Sequence, residues 1–248
     1  MIYPAKDMRD YLRKLAGWAW NEQAAAFGHG LRLREETLTE TLLLRMAKDF
    51  SKFGLHTHMF SSDAESKNGA DWEWYVRTPQ CKIGFRIQAK RLYPSTGDGV
   101  YGGLKTDMVQ AGKLIADAGE NNPIYVFYNH EHVKNSVKFY SSHETGYNTP
   151  SYWGCSIAKA AFVKAKTSNK LDDLFPGMKP WHRLLGFGGV CEAKALFAEM
   201  PGDQPFLTRT RPPEWVDFLQ DGDFMNQYLD REELGGVAYF DATDFRGD

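Results

Sequence analysis

Three polar residues on two consecutive predicted strands have the types and spacing for metal-assisted chemistry. Asp71 begins a segment over residues 71–76 that alternates in strand fashion, and Gln88 and Lys90 lie in the strand predicted over residues 83–92. Side chains alternate along a strand, so Gln88 and Lys90 share one face, and hairpin pairing would bring Asp71 beside them. Carboxylate and amide oxygens suit a hard cation such as Mg²⁺, and a lysine can orient water or stabilise charge on a phosphate. These are the parts needed for metal-assisted phosphodiester hydrolysis.

A second carboxylate is expected from the helix predicted over residues 37–53. Glu35, Glu36 and Glu40 lie around its start, and Glu36 and Glu40 flank its apolar stripe, so either can lean toward the sheet. Glu40 also has a purely structural explanation, because Thr37 and Glu40 form a capping-box pattern. Glu36 is therefore the preferred helix ligand, and Glu40 is the alternative.

The elements that must position these residues are predicted from hydrophobic periodicity and turn residues. A helix over residues 7–27 comes first, followed by a helix (37–53), three strands (55–60, 71–76 and 83–92), a helix (104–118) and a strand (123–128). In the third strand the apolar face consists of Phe85, Ile87 and Ala89. Later segments are less regular, with helix indicated over residues 155–166, 195–200 and from 214 onward. We expect one domain over residues 1–248, with a core at about 35–130 and a helical and irregular C-terminal elaboration.

The motif and the order of elements resemble the PD-(D/E)XK nuclease superfamily over about residues 35–130. That superfamily has a core of helix, three strands, helix and strand. Its motif is an aspartate on one strand and an acidic residue, a spacer and a lysine on the next. Asp71 matches the aspartate, Gln88 the acidic position and Lys90 the lysine. A metal ligand that the superfamily often carries on its first helix is matched by Glu36 or Glu40.

Two positions depart from that pattern. Ala70 stands where a proline often precedes the aspartate, and Gln88 replaces a carboxylate, which removes one negative charge from the site. The resemblance implies a restriction-endonuclease-like α/β fold, with a central mixed sheet flanked by helices. It also implies Mg²⁺ as cofactor, with Mn²⁺ able to substitute, and DNA in preference to RNA as substrate. The segments NGADWEW, QAKRLY and PIYVFYN resemble an uncharacterised bacterial branch associated with phage defence, so a defence-system protein or a second copy is an expected partner.

Arg86, Gln110 and Lys113 are further candidate contacts to nucleic acid. Arg86 shares the strand face of Gln88, and the other two lie on the helix predicted after the third strand. Solvated surface positions explain all three equally well, and the same alternative applies to the motif, because Gln and Lys are common on exposed strand faces. The competing hypothesis is therefore a nuclease-fold module that binds nucleic acid or a protein without turnover.

Charge is distributed unevenly along the chain. The formal charge is −2, yet residues 199–248 hold 12 acidic residues against four arginines. Those residues therefore carry −8, which leaves +6 on residues 1–198. A solvated acidic tail and a tail that competes with phosphates are both compatible with this distribution. Lys159, Lys166 and Lys170, in a predicted helix, could line a groove for nucleic acid.

Cysteine, histidine and apolar residues exclude several other classes of protein. Cys81, Cys155 and Cys191 are far apart and include no CxxC pair, so neither a zinc ribbon nor a disulfide framework is expected. His130 and His132 are interpreted as surface loop residues. No apolar run approaches 18 residues and the first residues do not resemble a signal peptide, so a cytoplasmic protein without membrane contact is expected.

Overall fold

The protein is organised around one mixed β-sheet with helices on both faces. The computed structural model describes residues 8–50, 55–59, 70–93, 99–104, 108–141, 149–186, 191–241 and 243. The helices are α1 (Met8–Gly28), α2 (Glu35–Phe50), α3 (Val109–Ala116), α4 (Val137–Ser141), α5 (Ala160–Lys166), α6 (Leu171–Leu174), α7 (Ala193–Glu199) and α8 (Gly222–Glu232). The strands are β1 (Leu55–Met59), β2 (Trp72–Arg77), β3 (Lys82–Tyr93), β4 (Val100–Tyr101), β5 (Asn122–Tyr128), β6 (Cys155–Lys159), β7 (Lys179–Pro180) and β8 (Gly236–Asp241).

The sheet has the strand order β1-β8-β2-β3-β5-β6-β7, and the short β4 pairs with the end of β3. At its centre β2 and β3 are antiparallel, whereas β3 and β5 are parallel. The predicted α/β class, with a mixed sheet flanked by helices, is confirmed. All seven residues of β5 are buried, as expected for a strand covered on both faces.

Two apolar clusters lie on opposite faces of the sheet. The first contains side chains of α1 and α2, including Leu12 and Leu42, together with Ile87 of β3. The second contains side chains of α3, α5 and α8, including Leu114 and Leu229. None of the described helices is long and apolar enough to cross a membrane.

The C-terminal part of the chain supplies strands that the sequence analysis did not predict. β8 lies between β1 and β2, antiparallel to the first and parallel to the second. Residues 155–159, expected to be helical, form β6 between β5 and β7. The prediction of a helical and irregular C-terminal elaboration was therefore wrong for these segments, because a short buried strand depends on partners that are remote in sequence.

Cys81 and Cys191 form a disulfide, with their Cα atoms 6.1 Å apart. It joins the turn between β2 and β3 to Cys191, which lies two residues before the start of α7. The sequence analysis expected no disulfide framework and did not anticipate this pair, because 110 residues separate the two cysteines and only the tertiary structure brings them together. Cys155 is a buried free thiol on β6.

Candidate functional site

The pairing of β2 with β3 brings Asp71 and Gln88 together. Its register sets Trp72 opposite Ile87, so the preceding Asp71 lies opposite Gln88, and opposed residues share a face of the sheet. Gln88 Nε2 donates a hydrogen bond of 2.6 Å to Asp71 Oδ2. The Ala89 N–H donates to the same oxygen, also at 2.6 Å. Asp71 is thus held at the start of β2 by both the side chain and the backbone of β3.

Carboxylates cover the edge of β3 where it extends past β2. Residues 89 and 91 have no β2 residue opposite them in the described pairing. The Ala89 N–H donates to Asp71, and the Arg91 N–H donates to Glu35 Oε2 at 3.0 Å. The two carboxylates therefore take the place of strand carbonyls, and this satisfies both backbone donors.

Lys90 forms an ion pair with Glu35. Its Nζ lies 3.1 Å from Glu35 Oε1, and the exposed fractions of the two side chains are 4% and 18%. Glu36 and Glu40, the two helix residues predicted as ligands, are both exposed. The structure therefore brings Glu35 to the site, whereas sequence reasoning assigned it no role. The preference of acidic residues for the first turn of a helix did not select it, because Glu35 and Glu36 both lie in the first turn of α2.

Burial leaves the site poorly solvated and rich in negative charge. It raises the pKa of Glu35 to about 7, an effect that Lys90 opposes and the Asp71 carboxylate increases. Burial also raises the pKa of Asp71, which Lys90 and the bonds from Ala89 and Gln88 oppose. The charge of Glu36 adds to that rise, so this glutamate still acts on Asp71 electrostatically. A bound cation would favour the ionised form of both carboxyl groups.

Two oxygen atoms at this site accept no hydrogen bond within the described chain. Gln88 Oε1 is buried without a partner. Both side-chain bonds to Asp71 use Oδ2, so Oδ1 is also free of described donors. Among all the residues that the structure describes, no group of three or more His, Cys, Asp and Glu residues is placed to hold a metal. The donor set fits Mg²⁺ nonetheless, because this ion commonly uses one or two carboxylates and completes its shell with water and phosphate oxygens.

Arg86 cannot serve as the predicted contact to nucleic acid in this arrangement. It is buried and lies opposite Glu73 in the β2–β3 pairing, with 3.0 Å between Nη1 and Oε1. It also pairs with Glu232 at 3.4 Å. Glu73 accepts further bonds from Trp215 and Tyr228, which anchors the C-terminal segment to the sheet. The interpretation as a solvated strand residue was wrong as well, because the register supplies a buried counter-ion.

The other two predicted contacts, Gln110 and Lys113, lie on α3. Lys113 is exposed on α3, and Gln110 is half-buried with an Oε1 atom that has no partner among the described residues. Neither forms a hydrogen bond or ion pair with Asp71, Gln88 or Lys90 in the described structure. The groove lysines are also dispersed, since Lys159 ends β6 and donates to the Met200 carbonyl at 2.9 Å.

A model of a protein family described as having unknown function, DUF6615, matches residues 8–246. The chain belongs to this family. No curated protein and no solved structure matches it. The arrangement of Asp71, Gln88, Lys90 and Glu35 is therefore the basis for assigning a function to this DUF6615 member.

His130 is buried in this DUF6615 chain, so its interpretation as a surface loop residue was wrong. Its Nδ1 accepts from the His132 N–H at 3.1 Å, and its Nε2 therefore donates to the Leu92 carbonyl, 3.0 Å away. Burial lowers the pKa of His130 to about 4, although the bond to Leu92 opposes this. Both ring nitrogens are engaged with the backbone, so neither is available to a metal.

We expect His130 to make the protein less stable as the pH falls from 6.5 to 4. In this interval the unfolded chain binds a proton that folded His130 does not, so protonation favours unfolding by up to roughly 3 kcal/mol. Denaturant unfolding of wild type and His130→Asn between pH 7 and 4.5 measures this as a difference in slope. That difference isolates His130 from the Asp71 and Glu35 carboxyl groups, which titrate in the opposite sense.

The matched control is His29→Asn, a change at an exposed histidine beyond the end of α1. It should retain the pH dependence of the wild type. His182 is also buried, which lowers its pKa to about 3, so part of the dependence will persist in His130→Asn. Identical slopes for His130→Asn and wild type would contradict the prediction.

Proposed function

We propose that this protein is a metal-dependent nuclease that hydrolyses phosphodiester bonds, with DNA preferred to RNA. The supporting observation is the placement of Asp71, Gln88 and Lys90 on adjacent strands, with one oxygen each on Asp71 and Gln88 that has no described donor. The strand positions agree with the PD-(D/E)XK motif that the sequence resembles. A restriction-endonuclease-like core at β2, β3 and β5 is part of the proposal, as is a role in bacterial defence against phage.

Each residue has a distinct role in this proposal. The free oxygens of Asp71 and Gln88 would hold Mg²⁺ or Mn²⁺. The Glu35 carboxylate lies next to Lys90, with which it forms an ion pair. When bound, the metal lowers the pKa of a coordinated water and neutralises charge on the phosphate. Lys90 presents its ammonium to a phosphate oxygen, and its poor solvation strengthens that interaction. Glu35 holds the lysine in place through the ion pair, and Glu36 contributes negative charge near Asp71.

A second candidate is a nuclease-fold module that binds nucleic acid or a protein partner without turnover. Two observations favour it: the described residues contain no group of three acidic, histidine or cysteine ligands, and Lys90 is paired with Glu35. The replacement of a motif carboxylate by Gln88 acts in the same direction. Binding of nucleic acid that is unaffected by EDTA, with no cleavage in Mg²⁺ or Mn²⁺, would support this second function.

We predict that cleavage requires a divalent metal and Asp71. Purified protein is incubated with plasmid DNA and with RNA in Mg²⁺, Mn²⁺ or EDTA, and products are separated on gels. Cleavage should stop in EDTA and fall at least 10²-fold in Asp71→Asn, because the amide lacks the charge that attracts the metal. The matched control is Asp230→Asn, the same change at an exposed residue of α8, which should cleave normally. Undiminished cleavage in EDTA would exclude the proposed mechanism.

A further inference from the structure

Tyr125 lies beside the proposed site in the sheet. The parallel register of β3 and β5 pairs Tyr125 with Gln88, and paired residues of adjacent strands face the same side. Its side chain belongs to the second apolar cluster, with the ring centroid 5.8 Å from that of Phe127. The sequence analysis placed this residue in a buried strand and gave it no chemical role.

The hydroxyl of Tyr125 has no hydrogen-bond partner within the described residues, although it is buried. Gln88 Oε1, on the paired residue, is in the same condition. Buried polar atoms in proteins are nearly always paired, so two unpaired atoms on neighbouring residues require an explanation. A ligand would supply one if it accepts a hydrogen bond from the hydroxyl and brings a cation to the Gln88 oxygen.

The phenol of Tyr125 is a hydrogen-bond donor at neutral pH. Burial raises its pKa, and the negative charges of Asp71 and Glu35 raise it further. The hydroxyl is thus within electrostatic range of both site carboxylates and stays protonated beside them. Tyr125 and Gln88 are fully buried, whereas Asp71 is half-buried, so a ligand would have to approach the hydroxyl from the Asp71 end of the site.

We propose that Tyr125 is a further substrate-contacting residue, whose hydroxyl donates a hydrogen bond to a phosphate oxygen of the nucleic acid. The inference rests on the proposed function, and it adds a second donor for the phosphate beside Lys90. A phosphate fits better than a neutral ligand, because its oxygens accept from Tyr125 and Lys90 while also binding a cation held by Asp71 and Gln88.

The test compares Tyr125→Phe with Tyr75→Phe. Tyr75 is also buried, also has a hydroxyl without a described partner and belongs to the same cluster, but it lies opposite Gly84, away from Asp71. Neither variant should lower the melting temperature, because each removes an unpaired hydroxyl. Tyr125→Phe should lower kcat/KM for a labelled DNA duplex in Mg²⁺ by about tenfold or more, the effect of one lost hydrogen bond to a charged acceptor. Tyr75→Phe should leave kcat/KM unchanged.

A binding measurement separates failure of this inference from failure of the proposed function. Fluorescence anisotropy with a labelled DNA oligonucleotide in Mg²⁺ should show binding several-fold weaker in Tyr125→Phe than in wild type and Tyr75→Phe. If wild type binds without cleaving, the nuclease proposal fails, and the loss in Tyr125→Phe still supports the contact. Equal cleavage and binding by all three proteins, or no binding by wild type, would overturn the role of Tyr125.

Discussion

Replacement of Lys90 by alanine should lower the rate of DNA cleavage by about 10²-fold or more. Lys90 is the cation beside Asp71 and Gln88, and its burial places the charge where little water screens it. The fold should survive this change. Without its counter-ion the pKa of Glu35 rises above about 7, so the carboxyl becomes neutral near neutral pH and leaves no unpaired charge at the site. Cleavage at saturating Mg²⁺ and thermal melting measure the two effects separately.

Two further substitutions on β3 distinguish chemistry from stability. Ile87→Ala, on the opposite face in the first apolar cluster, should cost about 2–5 kcal/mol of unfolding free energy and leave the site chemistry intact. Gln88→Glu should keep some activity and bind Mg²⁺ more tightly. It sets two carboxylates within hydrogen-bonding distance, so its stability should depend more on the metal. Wild-type cleavage by Lys90→Ala would show that Lys90 is a structural residue and that the motif assignment is wrong.

Truncation after residue 219 should prevent folding. This deletion removes α8 and β8, and β8 is hydrogen-bonded on both sides, to β1 and to β2. The buried apolar side chains that go with it include Met225, Leu229, Val237 and Phe240. At about 1.5–3 kcal/mol each, their loss is comparable with the whole stability of a typical domain, about 5–15 kcal/mol. Far-UV circular dichroism and thermal melting should show no cooperative transition.

The control truncation ends after Thr243 and retains every described helix and strand. It should melt like the full chain and bind nucleic acid with the same salt dependence. The interpretation of the acidic segment as a solvated tail is therefore wrong for α8 and β8, which belong to the core. A 1–219 fragment that folds cooperatively and binds nucleic acid more tightly would restore that interpretation.

Sequence alone was sufficient to locate the central elements and their faces. Periodicity predicted α1, α2, β2, β3 and β5 within a few residues, because helical and strand spacing are local properties of the chain. It also separated Gln88 and Lys90 from Ile87, which the structure places in the first apolar cluster. The proximity of Asp71 to Gln88 followed from a short hairpin, in which few registers are possible.

The identity of the helix carboxylate was beyond the sequence pattern. A start at Thr37 favoured Glu36 and Glu40, whereas α2 begins at Glu35, and each residue turns the helix by about 100°. With that start Glu35 fell outside the helix, although it lies three and seven residues before the buried Leu38 and Leu42 and therefore on their face of α2. Arg86 shows the same limit. Strand alternation correctly placed it on the face of Gln88, but its ion-pair partner Glu73 was not anticipated.

Tertiary structure alone decided how the C-terminal half completes the protein. The insertion of β8 between β1 and β2, the strand conformation of residues 155–159 and the pairing of Cys81 with Cys191 all join segments far apart in sequence. Local patterns report only which side chains favour burial. The choice of partner depends on the burial and backbone hydrogen bonding that the whole chain achieves at once, so these contacts appear only when it folds.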